Sequence, residues 1–95
     1  MIVNCVMMKV RSDRMNDIPI AIERLLSMKG KIVTLKDIRV HKDIAHGSRS
    51  YDLMQMTEFA NMSDLNEYIK DPYHTEVGKY IMEIMEDILS VCYEE

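Results

Sequence analysis

A tyrosine and a histidine stand six residues apart in Tyr68-Ile69-Lys70-Asp71-Pro72-Tyr73-His74, on either side of an Asp-Pro step. Aspartate is a helix-capping type and proline fits a first helical position, so the step reads as one helix stopping and another starting. His74 then takes the third position of the new helix. The positive end of the helix dipole disfavours an imidazolium there, and partial burial acts in the same direction. A neutral imidazole is the form a general base needs near pH 7. Tyr68, just before the break, can aim its hydroxyl into the same pocket and donate to a developing enolate oxygen. These types therefore allow cofactor-free proton transfer next to a carbonyl. The plainer use of the same residues is structural: His74 satisfies a helix end, and Tyr68 is a core aromatic with a wet tip.

Other reactive types are sparse. His41 and His46 flank Asp43 in a polar loop, but their spacing is not one that metal sites favour, so no metal is expected. Cys5 and Cys92 form no CxxC pair and read as buried free thiols. Of the ten methionines, Met54 and Met56 share one strand face and are candidates for an adaptable ligand-binding surface, because unbranched thioethers repack around varied ligands. No serine sits in a nucleophile elbow, and glycines at 30, 47 and 78 build no phosphate loop. With 16 carboxylates against 12 lysines and arginines, and a formal charge of −4, the chain lacks the basic field that nucleic acid requires. No apolar run approaches the roughly 20 residues of a membrane span, and MIVNCVMMKV carries no cleavage-site pattern. The expectation is a cytoplasmic protein with no nucleic-acid or membrane partner and no cofactor.

The elements that must position Tyr68 and His74 follow from periodicity. Ile2 to Val10 is apolar on both alternating faces apart from Asn4 and Lys9, as a strand buried on two sides would be. Ile18, Ile22, Leu25 and Leu26 recur at helical spacing, which predicts a helix from about Asn16 to Lys29 with Gly30 as its stop. Ile32 to His41 alternates weakly and reads as a partly exposed strand. Ser50 to Phe59 alternates with apolar side chains on each face and reads as a central strand. Ser63 is a plausible cap for a short helix to about Lys70. Val77, Ile81, Ile84, Met85 and Ile88 mark a further helical stripe, and Leu89 to Tyr93 a last strand. The order β-α-β-β-α-β points to one ferredoxin-like α+β sandwich over residues 1–95. Its helices cover one sheet face only, so the apolar second face calls for a second copy packed sheet to sheet.

Three stretches carry a resemblance: the strand start VNCVMMKV, the segment IRVHKDIAHGSRSYDLMQMTEF, and DPYHTEVGKYI with the short strand after it. Together they resemble the stress-responsive dimeric α/β-barrel (Dabb) family over essentially the whole chain. The Lys42-Asp43 pair ahead of Arg49-Ser50-Tyr51-Asp52-Leu53 and the step Pro72-Tyr73-His74 are its more specific parts. The resemblance implies a ferredoxin-like protomer whose sheet meets that of a twofold mate to form a dimeric α/β barrel. A plant polyketide cyclase of that family performs a cofactor-free aldol cyclisation with a histidine base and a nearby tyrosine, and these roles fall on His74 and Tyr68. Further histidines of that enzyme, on its first and third strands, correspond to Asn4 and Leu53, which makes these two positions ligand-binding candidates while arguing against the same substrate. The resulting expectation is a stress-linked homodimer binding an apolar or aromatic small molecule. Its alternatives are a cofactor-free cyclase, isomerase, lyase or oxygenase, or a surface that only assembles with a partner protein.

Overall fold

The computed structural model describes residues 1–95. Strand β1 (Ile2–Val10) lies at the centre of a four-stranded antiparallel sheet with β2 (Asp37–Lys42), β3 (Leu53–Phe59) and β4 (Met85–Glu94), in the order β2-β3-β1-β4. Helix α1 (Ile18–Leu26) follows β1. Helices α2 (Met62–Lys70) and α3 (Pro72–Ile84) lie between β3 and β4. This is the ferredoxin-like α+β arrangement that the element order implies, with the second helical segment divided at the Asp-Pro step.

Register sorts the side chains into two faces, because directly paired residues share a side of the sheet. Met8 pairs with Leu53 and Ile88, and Val6 with Gln55 and Ser90. These belong to the helix-facing side, where Met8, Leu53, Phe59, Leu25, Leu65, Val77, Ile81 and Ile84 join one buried core. Fully burying an aliphatic or aromatic side chain contributes about 1.5–3 kcal/mol each. The opposite face carries Met7, Leu89 and Met54 in one paired row and Cys5, Val91 and Met56 in the next. No element of this chain covers that face: Met7, Leu89 and Val91 are 44%, 53% and 65% exposed.

Several boundaries differ from the periodicity reading. Ser12–Asp17 winds as a 3-10 turn with a kink at Arg14, so α1 begins at Ile18. Beyond Leu26 the chain continues in tight turns, Lys29 N–H to the Leu26 carbonyl and Lys31 N–H to the Met28 carbonyl, before Gly30 reaches φ +89°. Ile32 and Leu35 are buried within a turn closed by the Leu35 N–H to Ile32 carbonyl bond, so β2 starts only at Asp37. Their three-residue spacing suits a turn better than a pleat. Asn61, not Ser63, caps α2, accepting from the Asp64 N–H at 2.9 Å. Strand β4 begins at Met85, directly after α3, because Met85 itself turns extended (φ −93°, ψ 138°); Met85 and Ile88 are therefore strand residues. Of the two thiols expected to be buried, Cys5 is half-buried and Cys92 exposed, since the far end of β4 lies outside the core.

Candidate functional site

The local chain path at the Asp-Pro step matches the capping argument. Asp71 turns extended (φ −63°, ψ 133°), ends α2 and opens α3, and its carboxylate accepts from the Tyr73 N–H at 2.8 Å. Its carbonyl accepts from the Thr75 N–H at 3.0 Å. Proline at the start of α3 loses no hydrogen bond there and fixes the helical φ. The Tyr73 hydroxyl lies 2.8 Å from Ser27 Oγ, tying this corner to the end of α1. His74 is thereby fixed on the first turn of α3, above the last turn of α2 that carries Tyr68.

The two rings pack together, centroids 4.4 Å apart and planes tilted by 56°, and Tyr68 leans in turn on Phe59 at 4.9 Å. Both Tyr68 and His74 line a cavity of about 270 Å³ between the helices and the sheet. Its walls are mainly apolar, with Val6 and Met8 from β1, Met28 after α1, and Val77 and Ile81 from α3. Asn4 and Gln55 add amide groups from the sheet floor, while Ile69 and Met82, both exposed, flank the opening. Gly78 also lines the hollow, on the helical stripe that includes His74, Val77 and Ile81.

Electrostatics follow from this burial. The His74 pKa is lowered, chiefly because its half-buried ring is desolvated; the Ile69 carbonyl and the Asp71 charge pull the other way without overcoming this. The imidazole is therefore neutral at pH 7. Burial pushes the Tyr68 hydroxyl up to about 12, opposed by hydrogen bonding from Gln55, so the phenol keeps its proton at every physiological pH. That proton points to the Met28 thioether at 3.8 Å, a weak acceptor that a ligand oxygen can replace. The arrangement holds a neutral base and a neutral hydroxyl donor at one apolar hollow.

The remaining sequence candidates separate. Asn4 lies at the hollow with His74 and Tyr68, but Leu53, Met54 and Met56 do not. Leu53 is core and, with Met54, borders a different depression beside His41, Lys42 and Arg49. Met56 lies on the bare face with its sulfur 3.9 Å from the Arg39 guanidinium. The alternation of β3 sends the two methionines away from the helices. His46 and Asp43 sit 3.7 Å apart in the exposed loop, and nowhere do three His, Cys, Asp or Glu side chains gather closely enough to hold a metal ion. Gln55, which the residue types alone did not mark, is the addition: a buried amide in the row Leu53, Thr57 and Phe59.

A four-stranded antiparallel sheet with helices on one side, a hollow beneath them and a bare apolar reverse defines a small ferredoxin-like α+β protein. The chain belongs to the stress responsive A/B barrel domain family, whose model matches residues 2–95. No curated protein matches the sequence. Among solved structures it is similar to At3g17210 of Arabidopsis thaliana, at TM-score 0.90 and 16% identity over 100% of this chain and 95% of the other. A dimeric ferredoxin-like protein of unknown function from Bacteroides fragilis aligns at TM-score 0.83 and 23% identity, covering 99% and 95%. The hydroxynitrile lyase of Passiflora edulis aligns at TM-score 0.86 and 14% identity, covering 97% and 90%. At these identities the likeness is one of fold. No helix is long and apolar enough to cross a membrane.

Proposed function

We propose that the chain acts as a cytoplasmic homodimer, paired through the bare sheet face, that binds a small apolar or aromatic molecule in the hollow between sheet and helices. The observation that carries this reading is the hollow itself: about 270 Å³, apolar-walled, with Asn4, Gln55, Tyr68 and His74 as its polar lining. Dimeric structural relatives and the exposed Met7, Leu89 and Val91 support the pairing. Native mass spectrometry of the purified protein tests both parts, with a dimer carrying a co-purified small molecule as the expected result. A bare monomer at micromolar concentration refutes them.

The contact between His74 and Tyr68 favours a second reading, cofactor-free proton transfer α to a carbonyl. His74 takes the α-proton as a neutral base, Tyr68 donates to the enolate oxygen, and the imidazolium returns a proton to carbon. The measurement is deuterium incorporation at the α-carbon of phenylacetone in D₂O by NMR. Exchange should be catalysed by the wild type and fall by about 10²–10⁴ in His74→Gln, the usual weight of a general base. Because desolvation lowers the His74 pKa, the rate should hold through pH 7 and decline only below the ordinary histidine value of 6.5. Equal exchange in wild type and variant removes the base from the reading.

A further inference from the structure

Gln55 is the least satisfied polar group of the inner face. It is 5% exposed, and its Oε1 is buried with no hydrogen-bond partner. Its neighbour on the same strand and face, Thr57, is fully buried yet donates to the Asn4 carbonyl at 3.4 Å. The strand thus provides for one polar side chain and leaves the other open. Two further buried atoms lack partners, Thr34 Oγ1 and the Tyr80 hydroxyl, but they belong to half-buried residues away from the hollow, whereas Gln55 lines it. An unpaired buried carbonyl is destabilising, and a near-isosteric methionine would avoid that cost.

Gln55 stands near enough to Tyr68 for hydrogen bonding from it to favour the phenolate. Its carbonyl oxygen can only accept. The same hollow is lined by Val6, Met8, Met28 and Ile81, none of which can donate, and by Asn4, Tyr68 and His74.

Building on the reading of the hollow as a ligand site, we infer that Gln55 selects the ligand: Oε1 accepts a hydrogen bond from a neutral hydroxyl borne on an apolar or aromatic molecule. The class is a phenol, enol or alcohol about the size of one substituted ring, since the hollow lies just below the roughly 300–1,000 Å³ range of common ligand pockets. Anions are disfavoured, because a carboxylate or phenolate would meet the Gln55 carbonyl and the apolar wall. Neutral His74 lines the same hollow and can also accept from a hydroxyl, so the share of Gln55 is read from its own variant.

The test is a matched series titrated into the wild-type protein by calorimetry: 4-propylphenol, which donates, 4-propylanisole, which only accepts, and propylbenzene, which does neither. The phenol should bind about tenfold tighter than each of the other two, the effect of one net buried hydrogen bond. In Gln55→Met the preference should vanish while propylbenzene binds at least as well as before. Equal affinities across the series in the wild type overturn the selection by Gln55 and leave the ligand hollow standing. Tighter binding of the anisole also overturns it, showing that the hollow presents a donor to the ligand instead. If none of the three binds, the hollow itself is not a ligand site and the inference falls with it. Where Gln55→Met fails to fold, His74→Phe decides: it keeps the phenol preference if Gln55 supplies it and loses it if the imidazole does.

Discussion

The two faces of one sheet bury apolar groups in opposite ways. The helix-facing side is closed by its own chain: Phe59 and Ile84 are fully buried, and what space remains is a small hollow lined by an orphaned carbonyl and a neutral imidazole. The reverse side is open, its rows Met7, Leu89 and Met54 and Cys5, Val91 and Met56 meeting no further element. A small apolar hollow with unmatched polarity suits a small ligand bearing the complementary group. A broad apolar surface suits another surface of the same kind, and sheet-to-sheet packing about 10 Å apart is its ordinary solution. The same strands serve both, since alternation sends every second residue to each side.

The largest expected effect comes from placing charge on the bare face. In the double variant Leu89→Asp, Val91→Asp, each proposed dimer would bury four carboxylates between apolar rows, at a cost on the order of 4 kcal/mol or more. Sedimentation at micromolar concentration should then give a monomer where the wild type gives a dimer. Affinity of the isolated fold for 4-propylphenol should change little, because both substitutions lie across the sheet from the hollow. A variant that stays dimeric would show that the copies meet elsewhere.

A smaller effect reads the helix-facing side by pH. His74 has a folded-state pKa below its unfolded value, so the unfolded chain binds the proton more readily. Its contribution to stability is complete above about pH 6.5 and is lost as pH falls from there toward the lowered folded pKa. Urea unfolding between pH 7 and pH 5 should show this loss in the wild type and a shallower one in His74→Gln. If His74→Gln keeps the full wild-type slope, the desolvation of His74 is not its source.

How much of this was legible in the residues depends on whether the signal is local. The Asp71-Pro72 restart is set by the chain's own chemistry over three residues, and it placed His74 and Tyr68 correctly around one corner. The two-sided character of Ile2 to Val10 and of the strand ending at Phe59 was equally plain in their alternation. The start of β4 was not, because Met85 and Ile88 fit a helical stripe as well as a strand, and no glycine or proline marks the change. Met54 and Met56 read correctly as sharing a face, but which face borders the hollow depends on how the strands pair. Gln55 shows the limit best. An amide among Leu53, Thr57 and Phe59 is visible in the row, yet its lack of a partner depends on Val6 and Val40 lying beside it from two other strands.

The smallest effect tests whether the hollow is maintained against stability. Gly78 lies inside α3, where glycine costs about 0.5–1 kcal/mol relative to alanine through its backbone freedom. A Cβ there would meet no atom within 4 Å, so sterics do not require the glycine. It sits on the stripe of His74, Val77 and Ile81, and a methyl on that stripe would occupy the space now lined by its Cα. Gly78→Ala should therefore raise unfolding stability by about 0.5–1 kcal/mol in urea titration while weakening 4-propylphenol binding. Stabilisation with undiminished affinity would place the helix glycine outside the ligand's reach. A loss of stability would mean that the methyl meets the packed wall, and that the hollow is narrower than its lining implies.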